Sequence, residues 1–475
     1  MNIVVAGTGF VGLTHAAVAS EYGHHVYGYD IDRARLDAYE SGDRQAIERI
    51  VNEPGLVDII EETLGRHLFF TNDLEAALAD AEAIFLCLPT PPKRDGSTDL
   101  SMYESAVRDI AAVLAKRENK KRVVMINKST VPIGTARLLQ GLLEEAGAEN
   151  VGVASNPEFL PEGNAVELSR RPDRIVVGAD TEEDFRILRR VYPQFQNHVR
   201  IRYIETTPET AEAIKYVANT LLLTYISFWN GVGARLGETF EGIRMEELKQ
   251  GVTADDRIST WGSYVSNGAG GSCFGKDIQS LIYQLRSAGR ETDLLQSVYR
   301  INEYQKRYLV ERAEHEADFN FNHKKVALLG LAFKKRTNDM RDSSALKGVE
   351  TLLARGVSEI RAYDPLAMEE ARHWFDTDKN HLFERISYHD SAAEAIQGSD
   401  ALFISTDWEE FRGLASVIMA NAEPPYLIID GRRMLPDYDY EALVEAGYSC
   451  LAVGGHLMQP EATQDEMPQP ALALG

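Results

Sequence analysis

Ile3-Val4-Val5-Ala6-Gly7-Thr8-Gly9-Phe10-Val11-Gly12 is a short apolar run followed at once by three spaced glycines. A helical pattern then continues through Tyr22, and a second apolar run, His25-Val26-Tyr27-Gly28-Tyr29, ends on Asp30. The order is strand, glycine turn, helix, strand, acid, and each part has a physical task. Gly7 makes the turn, Gly9 lets a pyrophosphate approach the backbone, and Gly12 lets the helix pack on the strand. The helix N-terminus offers unsatisfied N–H groups to the phosphates. A carboxylate at Asp30 accepts hydrogen bonds from ribose hydroxyls and repels a 2′-phosphate, so the stretch predicts NAD rather than NADP. It also predicts an α/β fold with a doubly wound sheet.

Further strands are expected at 83–88 and 123–126, each ending in polar turn residues that include Thr90 and Thr130. Carboxyl ends of strands line the ligand crevice of such sheets, so both threonines are expected to face cofactor or substrate. A strand at 151–154 leads into Asn156-Pro157-Glu158-Phe159-Leu160-Pro161-Glu162-Gly163. Its two carboxylates suit acid/base work or ribose binding; a solvated loop is the plainer alternative. From Thr207 to about Gln250, and again from Thr292 to about Phe319, the pattern is helical. Lys215 and Asn219 share one face of the first helical stretch, and a lysine on an apolar face needs a partner or a task.

A second α/β unit begins at Lys324, and its second strand ends at Asp364. The glycine fingerprint is missing there. Phe333-Lys334-Lys335-Arg336, with Arg341 shortly after, forms a basic patch suited to a phosphate. Strands at 401–405 and 426–429 follow, the latter running into Asp430-Gly431-Arg432-Arg433. The Pro-rich stretch from about Gln459 to Gly475 is expected to be disordered.

Between the two helical stretches lies Asn267-Gly268-Ala269-Gly270-Gly271-Ser272-Cys273-Phe274-Gly275-Lys276-Asp277. Glycines this dense suit a tight loop, Ser272 suits an N-cap, and Cys273 then falls in the first helical turn. A helix N-terminus and Lys276 both favour the thiolate, and Asp277 shares the face of Cys273. The stretch reads either as an activated nucleophile or as a buried structural cysteine.

Of the 475 residues, 44% are hydrophobic and 26% charged, and the formal net charge is −23. Two or three domains are expected, and general nucleic-acid binding is not. Three scattered cysteines, Cys87, Cys273 and Cys450, predict a reducing, cytoplasmic compartment and no structural metal. Cys87 and Cys450 fall in apolar runs and read as inert core. No signal-peptide character and no membrane-spanning run is expected.

With these stretches assembled, the chain resembles the nucleotide-sugar 6-dehydrogenases of the UDP-glucose/GDP-mannose dehydrogenase family over about residues 1–455. The resemblance rests on the glycine motif with Asp30, Lys128-Ser129-Thr130-Val131-Pro132, the 156–160 stretch, the Lys215/Asn219 helix, Gly-Gly-Ser-Cys273-Phe with Asp277, Phe333-Lys334-Lys335 and Asp430-Gly431-Arg432-Arg433. It implies two Rossmann-like doubly wound domains joined by a central helical domain: an NAD domain at 1–206, a dimer-forming helical domain at 207–318 and a UDP-sugar domain at 319–475.

The implied reaction is a four-electron oxidation of a sugar alcohol to a carboxylate with two NAD. UDP-glucose is the first substrate implied, with GDP-mannose or a UDP-N-acetylhexosamine as the alternative. Cys273 is the implied nucleophile. Lys215 and Asn219 would stabilise oxyanions, Asp277 and Thr130 would hold water, and Glu158 would assist proton transfer. Implied cofactor contacts are Gly7, Gly9, Phe10, Val11, Gly12, Asp30, Thr90, Thr130, Glu162, Lys276 and Arg341. Implied sugar-nucleotide contacts are Phe159, Leu160, Lys215, Asn219, Gly270, Lys334 and Arg432, with Arg257 reaching the neighbouring subunit of a homodimer or higher homo-oligomer. Ala269 and Gly275 depart from the phenylalanine and proline usual in the family, and both border the implied sugar pocket.

Overall fold

The computed structural model describes residues 1–119, 121–197 and 199–460, with the backbone alone at 196 and 197. The expected disordered tail lies outside the described residues from 461 onward. The chain packs as two compact units, Met1–Leu221 with Lys276–Leu295, and Leu222–Gly275 with Gln296–Gly475.

The first unit holds eight strands: β1 (Asn2–Ala6), β2 (His25–Tyr29), β3 (Leu68–Thr71), β4 (Ala83–Leu86), β5 (Val123–Asn127), β6 (Val151–Ser155), β7 (Arg174–Ala179) and β8 (Arg202–Thr206). Their order is β3-β2-β1-β4-β5-β6-β7-β8. The first six are parallel in the 3-2-1-4-5-6 order of a dinucleotide-binding sheet, whereas β7 runs antiparallel to β6. Central strands such as β4 and β5 are buried along their whole length, as a parallel sheet covered on both faces requires. Each fully buried Val or Ile side chain contributes about 1.5–3 kcal/mol.

The second unit repeats the scheme with β9 (Lys325–Leu329), β10 (Glu359–Tyr363), β11 (Ile386–Tyr388), β12 (Ala401–Ile404), β13 (Leu427–Asp430), β14 (Ser449–Ala452) and β15 (Leu457–Met458). The order is β11-β10-β9-β12-β13-β14-β15, with only β15 antiparallel to its neighbour. Both sheets are therefore Rossmann-type. In the second, Asp364 does local structural work: its carboxylate accepts from the N–H groups of Leu331, Ala332, Leu366 and Ala367 and from Trp408 Nε1.

The helical stretch expected over 207–250 is interrupted. Pro208–Phe228 is α-helical, Trp229–Gly233 is a π-helical turn, and Ala234–Thr239 and Met245–Thr253 are short helices. Glycine at 233 accommodates the Trp229 ring, because a Cβ there would stand 2.7 Å from it. Gly242, at φ +82°, lies in the turn between the two short helices.

Candidate active site

The glycine turn after β1 is shaped by contact. Gly7 has φ +90°, and a Cβ on it would lie 2.4 Å from the Cys87 carbonyl oxygen. A Cβ on Gly12 would lie 1.8 Å from the Gly7 oxygen, whereas one on Gly9 would meet nothing within 4 Å. Gly7 and Gly12 thus close the turn, and Gly9 faces open space at the start of the helix Phe10–Glu21, where a pyrophosphate fits. Phe10 and Val11 are half-buried beside it.

Asp30 is buried at the end of β2. Its Oδ2 accepts from Thr8 N–H at 2.8 Å, Thr8 Oγ1 at 2.9 Å and Arg35 at 3.0 Å, and its Oδ1 accepts from Asp32 N–H at 3.0 Å. Burial pushes this carboxyl up, but those donors and the Arg35 charge outweigh it and hold the pKa below the ordinary value. Oδ1 keeps capacity for a ribose hydroxyl. These residues fit NAD, and Asp30→Ala is expected to narrow the preference for NAD over NADP in initial-rate measurements with each cofactor. A native protein that used both equally would overturn this role of Asp30.

Glu158, on the loop after β6, accepts a hydrogen bond from Lys215 Nζ at 2.7 Å, and both side chains are buried. Its second oxygen accepts from Leu160 N–H at 2.6 Å. Burial acts to raise the Glu158 pKa, yet the charge and hydrogen bond of Lys215, the Leu160 N–H and the Lys128 charge keep it below the ordinary glutamate range. The lysine on an apolar helix face therefore has its partner. Phe159 stacks under the Arg174 guanidinium at 3.9 Å, with Lys215 Nζ 5.5 Å from the same ring.

Four residues on from Lys215, Asn219 donates to Asp277 Oδ2 at 2.6 Å. Lys276 donates to the other Asp277 oxygen at 2.7 Å, so its charge is already engaged by a carboxylate instead of being held free for the thiol. Thr90 Oγ1 donates to the Thr130 carbonyl at 3.0 Å, bringing the ends of β4 and β5 together. Glu162 is half-buried just before the helix Ala165–Arg170.

Two carboxylates passed over in the sequence organise this half. Glu212 accepts from Gly134 N–H, Ala136 N–H and Ser155 Oγ, and Glu53 accepts from Gly163 N–H and Ala165 N–H. The spacing of Glu212 with Lys215 and Asn219 on one helical face was the available signal; nothing local marked Glu53.

In the second unit the glycine loop is held from several sides. Asn302 exchanges two hydrogen bonds with the Ala269 backbone, and Gly271 N–H donates to the Arg341 carbonyl at 3.0 Å. A Cβ on Gly270 would stand 2.6 Å from the Asp342 oxygen, and one on Gly271 would strike the Phe333 ring at 2.9 Å. The helix after the loop is Phe274–Ser287, one residue later than the Ser272 cap implies. Cys273 directly precedes it and is exposed, which removes the buried structural reading. Cys87 and Cys450 have thiols pushed up to about 12 by burial, so neither is a competing nucleophile.

Arg432 is fixed by donating to the Ser405 and Phe333 carbonyls, and Lys334 Nζ lies 5.3 Å from the Phe333 ring. The expected basic patch is partly neutralised, since Lys335 and Arg336 both pair with Glu409. Arg341 grips Asp339, and Arg257 is exposed and grips Asp255. Among the described residues no His, Cys, Asp and Glu cluster has the makings of a metal site, and no helix is long and apolar enough to cross a membrane.

A Rossmann sheet carrying the glycine cradle and Asp30 defines this enzyme as an NAD-dependent dehydrogenase. Residues 1–196, 209–304 and 327–437 match the NAD binding, central and UDP binding domains of one family. The chain belongs to the UDP-glucose/GDP-mannose dehydrogenase family. A UDP-glucose 6-dehydrogenase of Pseudomonas aeruginosa is 35% identical over 461 residues, 96% of this chain and 97% of that protein. Among solved structures, a UDP-glucose dehydrogenase from Pyrobaculum islandicum superposes with a TM-score of 0.81 at 33% identity, covering 91% of this chain and 94% of that one. A UDP-D-ManNAc dehydrogenase from Pyrococcus horikoshii gives 0.78 at 28% identity, covering 96% and 99%.

Proposed function

We propose that the protein oxidises C6 of UDP-glucose to the carboxylate of UDP-glucuronate through a covalent intermediate on Cys273. The observation that carries this reading is an exposed thiol directly before a helix whose first turn presents the buried Asp277. When bound, NAD would supply the hydride acceptor, one hydride to each of two NAD molecules in succession. The thiolate of Cys273 adds to the aldehyde left by the first oxidation, and the resulting thiohemiacetal becomes a thioester in the second. Lys215 and Asn219 supply a cation and an amide for the oxyanions, a task suited to fixed donors in a buried setting. Asp277 with Thr130 orients the hydrolytic water, and the Glu158–Lys215 pair moves protons. The remaining cofactor and sugar-nucleotide contacts follow the assignments given above. A division into cofactor (1–206), helical (207–318) and sugar-nucleotide (319–475) domains accompanies this reading, as does a cytoplasmic location.

NADH formation with UDP-glucose, UDP-galactose, UDP-N-acetylglucosamine and GDP-mannose tests the substrate. Two NADH per sugar and a clear preference for UDP-glucose are expected; one NADH per sugar overturns the four-electron chemistry.

We also infer at least a dimer. Val217, Leu221, Phe228 and Val232 are exposed along the helical run from Pro208, at spacings of one helix face. Arg257 then acts on the neighbouring subunit's ligand. Light scattering is expected to give a dimer or larger; a fully active monomer overturns both points.

A further inference from the structure

Lys128 follows β5 and is buried, and no step above uses it. Its Nζ donates to Asn156 Oδ1 at 2.8 Å and lies 3.4 Å from Tyr192 Oη, which itself bonds Asn156. Lys128 and Glu158 line one cavity of about 100 Å³, within the first unit. His15 and Gln194 line it too, and His15 Nε2 and Gln194 Oε1 are buried with no protein partner among the described residues. Its wall includes Arg174 and the exposed Asp173, so it opens to water. The volume holds several waters, and four polar groups are placed to bind them.

We propose that Lys128 and water in this cavity carry protons from the Glu158–Lys215 pair to solvent. The proposal rests on the reaction argued above. Per turnover one alcohol, one water and two NAD give one carboxylate, two NADH and three protons. The alcohol hydroxyl releases the first proton. When a thiolate adds to the aldehyde, the second hydride leaves the alkoxide directly. Hydrolysis of the thioester then releases two protons and restores the thiolate. A buried carboxylate–ammonium pair that receives these protons has to return them to water in every cycle. Lys128 is suited to the relay because burial lowers its pKa, against the opposing influence of Cys87 and Glu158 and with that of Lys215, to about 8. Of the other groups facing it, His15 is kept neutral by burial and the Lys128 charge, and Tyr192 is kept protonated by burial.

The test compares Lys128→Met and Lys128→Arg in the full-length enzyme with NAD and whichever nucleotide sugar the native enzyme oxidises. Both are expected to lower kcat by about 100-fold near pH ~7, within the range of a lost proton-transfer group, with NAD affinity unchanged. Lys128→Met is expected to lose the dependence of kcat on a group titrating near 8 and to recover rate with added methylamine. A fully active Lys128→Arg, or a slowed Lys128→Met with an unchanged pH profile and no rescue, overturns the proposal. Should Lys128→Met fail to fold, Ala19→Leu narrows the cavity without touching Lys128. It is expected to lower kcat and enlarge the solvent deuterium isotope effect; native values for both overturn the route. One NADH per sugar in the native enzyme defeats the four-electron reading alone, because the relay is still measured on a single oxidation.

Discussion

Cys273→Ser is expected to lose nearly all steady-state turnover while still binding NAD and nucleotide sugar. Serine keeps the size, but its hydroxyl has a pKa far above that of a thiol, so the reactive anion is scarce at neutral pH. The first oxidation needs no nucleophile, so the aldehyde still forms reversibly. The thioester cannot form. Cys273→Ala is likewise expected not to oxidise added UDP-hexose dialdehyde at the native rate. NADH release and UDP-glucuronate are measured in parallel. If either variant keeps more than about a tenth of native turnover, a barrier change under ~1.4 kcal/mol, Cys273 is not the nucleophile.

Lys215→Met removes one partner of a buried ion pair, and the expected cost is about 3–5 kcal/mol near pH ~7, together with loss of activity. The lower end is favoured because Lys128 still acts on Glu158. The sign of the pH dependence separates this mechanism from simple loss of packing. In the native protein Glu158 titrates below its unfolded value, so its contribution is present above the unfolded pKa and is lost as pH falls through the folded one. Without Lys215 the burial effect dominates and the folded pKa rises above the unfolded value. Stability of Lys215→Met should therefore increase as pH falls through the folded pKa of the variant. Adding Glu158→Leu removes the stranded charge, so the double variant is expected to recover most stability and no activity. Urea denaturation of the native protein, Lys215→Met and the double variant across pH checks this; a double variant no more stable than Lys215→Met would show that the unpaired carboxylate is not the source of the cost.

The parts of the site that lie within a few residues of one another were legible in the sequence. The glycine turn and Asp30 belong to one strand–helix–strand unit, and the Cys273 loop announced itself by glycines that only close packing explains. That Lys215 needed a partner was legible from its apolar helix face, but which one was not, because Glu158 lies 57 positions away. Strands β3, β8 and β11 escaped notice because each is only three to five residues long, too short for a strand period to stand out. The apolar run of β7 stands out in the sequence, but its antiparallel direction does not, because direction is set by the connection and not by the strand's own residues. The basic run at 334–336 looked available for phosphate because the sequence does not reveal that Glu409 folds back onto it.

The π-helical turn at Trp229–Gly233 makes this stretch intolerant of changes in length. Each residue added to or removed from a helix rotates everything beyond it by about 100°. Just past the turn, Arg235 lies 3.4 Å over the Tyr308 ring and bonds Gln305, and Glu238 pairs with Arg312 and accepts from Gly454 N–H. Deleting one residue would restore regular helix geometry but swing those side chains away from their partners. Natural variation here should therefore appear as substitutions, with insertions and deletions confined to the loop around Gly242, where the helical phase no longer matters.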